Sequence, residues 1–153
     1  MKRRAMLLSL LLTGCAGKGA EGIPIPAPMD MTSLRRPDTP NTALAAPAGF
    51  APPPDIVTPH YTMTPAALYA AVRKVALAQP RTYAHVAYDD RRQAHFVVRS
   101  RWFNFPDLIV AQATPDSFLI LWSRSVYGYG DMGVNRARLT TWLTALDASL
   151  TAT

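Results

Sequence analysis

The sequence predicts an α+β domain: a four-stranded antiparallel meander packed with two helices in helix–strands–helix order, preceded by an irregular proline-rich segment. Three observations predict it. Two stretches carry apolar residues at helical spacing, four runs between them are rich in Val, Ile, Tyr, Phe and Trp, and ten of the fourteen prolines fall between Pro24 and Pro59. A chain of 153 residues fits one such domain, and its 49% hydrophobic content excludes wholesale disorder.

The chain opens with Lys2, Arg3 and Arg4, an apolar run from Ala5 to Leu12, and then Thr13-Gly14-Cys15. A positive start, a short apolar stretch and small residues before a cleavage point describe a secretory signal over residues 1–14. Leu12-Thr13-Gly14-Cys15 is similar to a bacterial lipobox, in which the small residues admit the peptidase and the cysteine takes diacylglycerol. The expected first partner is therefore the lipid bilayer, reached through acylated Cys15; two or three acyl chains anchor stably where one does not. The domain would face the periplasm, and Ala16, where an acid would favour the inner membrane, points to the outer one. No apolar run reaches the ~18 residues of a membrane span. The lone cysteine excludes a disulfide framework, a thiolate zinc cluster and a CxxC redox site. Cleavage after Gly14 removes three basic residues and no acid, so the formal charge falls from +6 to +3. That is no polybasic nucleic-acid signature, and no nucleic-acid partner is expected.

Residues 15–36, small, polar or spaced by proline as in Ile23-Pro24-Ile25-Pro26-Ala27-Pro28, read as a lipidated tether that is not packed on the domain. The single domain is expected over 37–150. Its first part, with Leu44, Phe50, Ile56, Val57 and Tyr61 among prolines, reads as an irregular wrap. Thr64-Pro65 starts a helix, with a hydroxyl at the N-cap and proline at the first position; Leu68, Val72, Val75 and Gln79 recur at helical spacing until Pro80 stops it. Strands are expected at about 82–88, 93–102, 107–114 and 117–125, separated by turn-like clusters. A second helix over about 133–150 carries a stripe of Leu139, Leu143, Leu146 and Leu150, with Trp142 beside it.

If each hairpin loop holds an even number of residues, strand registers follow, because opposed residues share a face. Phe96, Val98, Trp102, Ile109, Ala111, Ala113, Phe118, Ile120 and Trp122 then form the core face. Val86, His95, Val97, Arg99, Arg101, Val110, Leu121 and Ser123 form the other. The same registers place Asp107 directly opposite Arg124 and put His85 and His95 on different faces.

Several segments then point to a family. They are Pro40-Asn41-Thr42-Ala43-Leu44, Arg99-Ser100-Arg101, Phe105-Pro106-Asp107 and, from Ser123, a long motif of the form SRS-x-x-G-x-x-D-x-G-x-N-x-x-R that ends on Arg138. Together they resemble the domain of unknown function family 1499 over about residues 38–147. The resemblance implies a bacterial envelope or organellar protein and supplies no catalytic residue.

The residues with chemistry to offer cluster at the end of this motif. Arg99, Arg101, Arg124, Asn135 and Arg136, with Tyr127 and Tyr129, are the candidate ligand-binding set: guanidinium forks suit carboxylate or phosphate, and a glycine loop running into a helix N-terminus admits an anion. Asp131 is a plausible helix cap. Against this stands a structural network in which Asp107, Arg124 and Asp131 neutralise one another and pin the loop. A metal site is not expected, since only His60, His85 and His95 are at hand and the chain offers too few convergent ligands. No cofactor and no catalytic residue are assigned: no GxSxG elbow occurs, the serines lie beside arginines, and the only glutamate, Glu21, is in the tether. The leading reading is a non-catalytic, envelope-anchored lipoprotein that binds an anionic envelope component or a protein partner. The alternative is a small hydrolase or transferase using the Arg/Asp cluster.

Overall fold

The computed structural model describes residues 17–152 of the chain; residues 1–14, expected as a secretory signal, and Cys15 lie outside the described residues. Among the described residues there are six strands: β1 (Thr42–Pro47), β2 (Ile56–Thr58), β3 (Thr82–Tyr88), β4 (Gln93–Arg99), β5 (Pro106–Ala113) and β6 (Leu119–Ser125). They form one sheet in the order β2-β1-β6-β5-β4-β3, antiparallel throughout except for the parallel pair β1–β2. Helix α1 (Pro65–Ala78) follows β2, and α2 (Val134–Thr151) follows β6.

This overturns the four-stranded antiparallel meander in helix–strands–helix order: the sheet has six strands and is mixed. The two missed strands lie in the proline-rich stretch expected to be irregular. β1 is Thr-Ala-Leu-Ala-Ala-Pro, poor in the residues that announce strands, and its Ala43, Leu44, Ala45 and Ala46 are fully buried. A strand covered on both faces loses the alternation by which half-buried strands are recognised. Beyond β1, Asp55 continues the ladder: its Oδ2 accepts from Leu44 N at 2.8 Å and its own N–H donates to Leu44 O at 2.8 Å.

Local signals act as expected in α1. Thr64 Oγ1 accepts from Ala67 N at 3.2 Å, Pro65 occupies the first turn, and Leu68, Tyr69, Val72, Val75 and Ala76 are buried. Both helices contribute to the core on one sheet face, where Leu139, Trp142, Leu143 and Leu146 of α2 meet Ala43, Ala45, Phe96, Ile109, Leu119 and Leu121.

The β5–β6 register differs from the even-loop expectation. The turn is Pro115-Asp116-Ser117, three residues, with Ser117 at φ +57° and Ser117 N donating to Thr114 O. A type I turn closed by a left-handed residue inserts an odd count, and a slip of one residue exchanges every side chain of the strand between faces. Asp107 therefore opposes Ser125, and Leu108 opposes Arg124. Leu119 and Leu121 enter the helix-side core, while Ile120 and Trp122 join Met31, Leu44, Ala46 and Val110 on the opposite face. A bulge between Ala84 and Val86 likewise shifts His85, so that it lines the same small cavity as His95.

That opposite face is covered by the segment expected to be an unpacked tether, which lies across it as a strap. A proline-spaced extended chain has carbonyls with no internal donors, and the sheet supplies them. Arg99 Nε donates to Gly19 O (2.9 Å) and one of its terminal nitrogens to Glu21 O (2.9 Å). His85 bonds Pro24 O (3.0 Å), Tyr88 Oη donates to Pro26 O, and Gln93 pairs with both N and O of Met29 at 2.7 Å each. Met31 is buried beyond this point, and Arg36 bridges to Asp55 at 2.8 Å. The expectation weighed only apolar burial; side-chain donors to a polyproline backbone do the holding.

Candidate functional site

The long motif folds into a closed polar network around Asn135, the second residue of α2, which is fully buried. Its Nδ2 donates to Asp131 Oδ2 (2.7 Å), Asn41 O (2.9 Å) and Ser125 Oγ (3.0 Å). Its Oδ1 accepts from Ser123 Oγ (2.5 Å) and from Arg138 (2.8 Å). Arg138 also reaches Ser123 Oγ (3.1 Å) and makes an ion pair with Asp107 Oδ2 at 2.6 Å, both side chains being 10% exposed. Asp131 caps the helix from two residues before the N-cap position: its Oδ1 accepts from Gly133 N (3.0 Å) and its Oδ2 from Asn135 N (2.9 Å). Gly133 holds φ +80° at the N-cap, a conformation suited to glycine. Asn41 completes the ring by donating to Gly128 O at 2.7 Å.

The expected ion pair of Asp107 with Arg124 is therefore replaced. Asp107 points to the helix side and pairs with Arg138, while Arg124 is exposed on the opposite face. Asp131 belongs to the same network through amide and backbone donors. Arg138 fills the last place of the motif and sits one helical turn beyond Asn135; that i, i+3 spacing is the sequence signal that could have identified it. Asn41 and Gln93, single residues far away in the chain, carry no comparable local signal.

The candidate ligand-binding residues are not brought to one point. Arg99 is buried with its guanidinium on three main-chain carbonyls, of Gly19, Glu21 and Asn104. Arg101 lies over the Trp102 ring, 5.0 Å from its centroid. Arg124 lines the cavity of about 30 Å³ on the strap side, together with His95, Trp122 and Pro26. Tyr127 packs edge-on against Phe105, Tyr129 and Arg136 are exposed, and Asn135 is committed to the network.

The network instead holds the loop 126–133 between β6 and α2; at the same end of the sheet the loop 100–105 between β4 and β5 is closed by its own bonds and meets it through Phe105 and Tyr127. In loop 100–105, Ser100 N donates to Phe105 O and Phe105 N to Ser100 Oγ, both at 2.9 Å. Asn104, at φ +55°, accepts from Arg81 at 2.8 Å. These bonds turn Trp102, Phe103 and Phe105 outward, with Phe103 and Phe105 stacked 5.5 Å apart.

Of the histidines, His60 meets Phe118 edge-on, His85 bonds the strap, and His95 Nε2 bonds Gln93 Oε1 at 2.8 Å. Burial, and then the nearby His85, push the His95 pKa down to about 4. Burial first, and then the charge of Asp147, raise Tyr61 to about 12. Among the described residues no three His, Cys, Asp or Glu side chains converge as a metal ion would require.

Compared with known proteins, residues 34–146 match the family described as protein of unknown function (DUF1499). No curated protein and no solved structure matches the chain.

Proposed function

The chain belongs to the DUF1499 family, and on that premise we propose that it is a lipid-anchored protein of the bacterial envelope, attached through Cys15, whose domain is a non-catalytic binding module. The observation that carries the binding part is the outward-turned end built from loops 100–105 and 126–133. It presents Trp102, Phe103, Tyr129 and Arg101 on a scaffold whose buried polar groups are spent on holding it. Rigidly presented aromatic and arginine side chains are the usual anchors of recognition surfaces. An anionic envelope component suits the exposed cations there.

The carboxylates that acid–base chemistry would need are engaged within the fold. Asp107 is ion-paired with Arg138 and Asp131 accepts three N–H bonds. The cavity of about 30 Å³ lies on the other sheet face and touches neither. These placements favour binding over the hydrolase or transferase alternative.

The anchor rests on the order of charge, apolar run, small residues and cysteine in residues 2–15. The test is metabolic labelling with a fatty-acid analogue in a bacterial host, followed by membrane fractionation. The wild-type chain is expected to carry label, sediment with the outer membrane and lose residues 1–14. Cys15→Ala is expected to carry none and to remain uncleaved. Normal labelling of Cys15→Ala would overturn the anchor.

A further inference from the structure

We propose that the end of the domain formed by loops 100–105 and 126–133 seats in the head-group interface of the same bilayer that holds Cys15. Trp102, Phe103 and Tyr129 would enter the interface, and Arg101 would meet lipid phosphates. This names the bilayer surface as the anionic component of the reading above and rests on the lipid anchor.

The patch is apolar and outward. Trp102 is 81% exposed, Phe103 71% and Tyr129 73%, and Phe105 and Met132 of the same two loops are exposed as well; Phe105 joins the loops by meeting Phe103 and Tyr127. Large exposed apolar side chains gathered on two neighbouring loops mark an interaction site. It is held in place: the loop is closed by its own backbone bonds, and Arg99 and Arg81 clamp Asn104 from below. Water is a poor solvent for such a surface.

The chemistry suits a membrane interface. Tryptophan and tyrosine partition to the head-group level, where the ring is sheltered and its polar atom stays wet. Arg101, lying on the Trp102 ring, brings a cation to that depth, and exposed Lys18 adds another nearby. Glu21 accepts from Lys18 N and Asp131 from Gly133 N and Asn135 N, so these neighbouring carboxylates are turned toward main-chain donors of the fold.

The exit of the chain selects the bilayer over other occupants. Asn104, in the middle of the aromatic loop, donates Nδ2 to Gly17 O at 3.0 Å. Cys15 is two residues before Gly17, and two residues span at most about 7 Å. An acylated Cys15 therefore brings this end of the domain down to the head groups. The packed strap gives the anchor no slack with which to hold the domain away from the membrane.

Trp102 provides its own probe, because Trp122 and Trp142 are each only 2% exposed. The full-length acylated protein is reconstituted into vesicles of phosphatidylethanolamine and phosphatidylglycerol, with Trp102→Phe as the background. Trp102 emission is expected to shift to the blue, to lose iodide quenching several-fold, and to be quenched by lipids brominated near the head group. Flotation with the vesicles and iodide-accessible Trp102 would overturn the seating alone. Trp102 shielded from iodide yet untouched by brominated lipid would assign the patch to a second copy or a protein partner, and would also overturn it. Failure to carry acyl chains and float would overturn the anchor and this inference together.

Discussion

Replacing Asp107 by alanine is expected to destabilise the domain by about 3–5 kcal/mol, the cost of stranding one member of a buried ion pair. The structure sets the size of the effect. The Asp107 and Arg138 side chains are each 10% exposed and 2.6 Å apart. Two unit charges about 4 Å apart between centres interact by roughly 4 kcal/mol at an effective dielectric near 20. Arg138 would retain neutral acceptors in Ser123 and Asn135 and would lose its counter-charge. For a domain of this length the loss lowers the thermal midpoint by roughly 10–20 °C. Urea unfolding followed by circular dichroism measures it. Asp107→Leu combined with Arg138→Met should recover at least half of the loss, since both charges leave together. Arg124→Met, on the exposed side of β6, should change stability by no more than ~0.5 kcal/mol. A cost for Asp107→Ala below ~1 kcal/mol, as for a surface bridge, would refute the reasoning, as would a double variant no better than the sum of the singles.

Two further outcomes follow from the strap side of the sheet. His95 titrates at about 4 in the folded chain against an ordinary 6.5, so the unfolded state takes up the proton first as pH falls. Stability should be full above pH 6.5 and decline by up to about 3 kcal/mol between pH 6.5 and 4; His95→Gln should flatten this slope in pH-dependent urea melts, and an unchanged slope would remove His95 as its cause. Gln93→Ala strips Met29 N and O of their partner and leaves His95 and Gln112 short of one. A loss of about 1–3 kcal/mol and faster proteolytic cleavage near Met29 are expected, and cleavage at the wild-type rate would mean that the strap is held elsewhere.

The two helices and the places of β3 to β6 were legible because their signals are local, although the run expected to reach 102 stops at Arg99. Thr64-Pro65 caps and starts a helix wherever it leads one, and Val98 or Ile109 favours extended backbone without reference to the rest of the chain. β1 was not legible, because Ala43 to Ala46 announce nothing by themselves and become a strand through their neighbours. The strap was hidden for a related reason: its prolines look like linker until His85, Tyr88, Gln93 and Arg99 are seen to meet their carbonyls.

At the site the difference narrows to one residue of register. The amino-acid order alone marked Asp107, Asp131, Asn135 and the arginines as a group, and placed a basic cluster, an apolar run and Cys15 at the start. It could not choose the partner of Asp107. That choice turned on Ser117, whose left-handed conformation makes the β5–β6 turn odd and sends Arg124 to the opposite face. Arg138 takes the vacated role from 31 residues away. Only tertiary structure decided it, because patterns within a segment are set by local sterics and periodicity, whereas which charges meet depends on the count of residues in a turn and on the packing of a helix that follows.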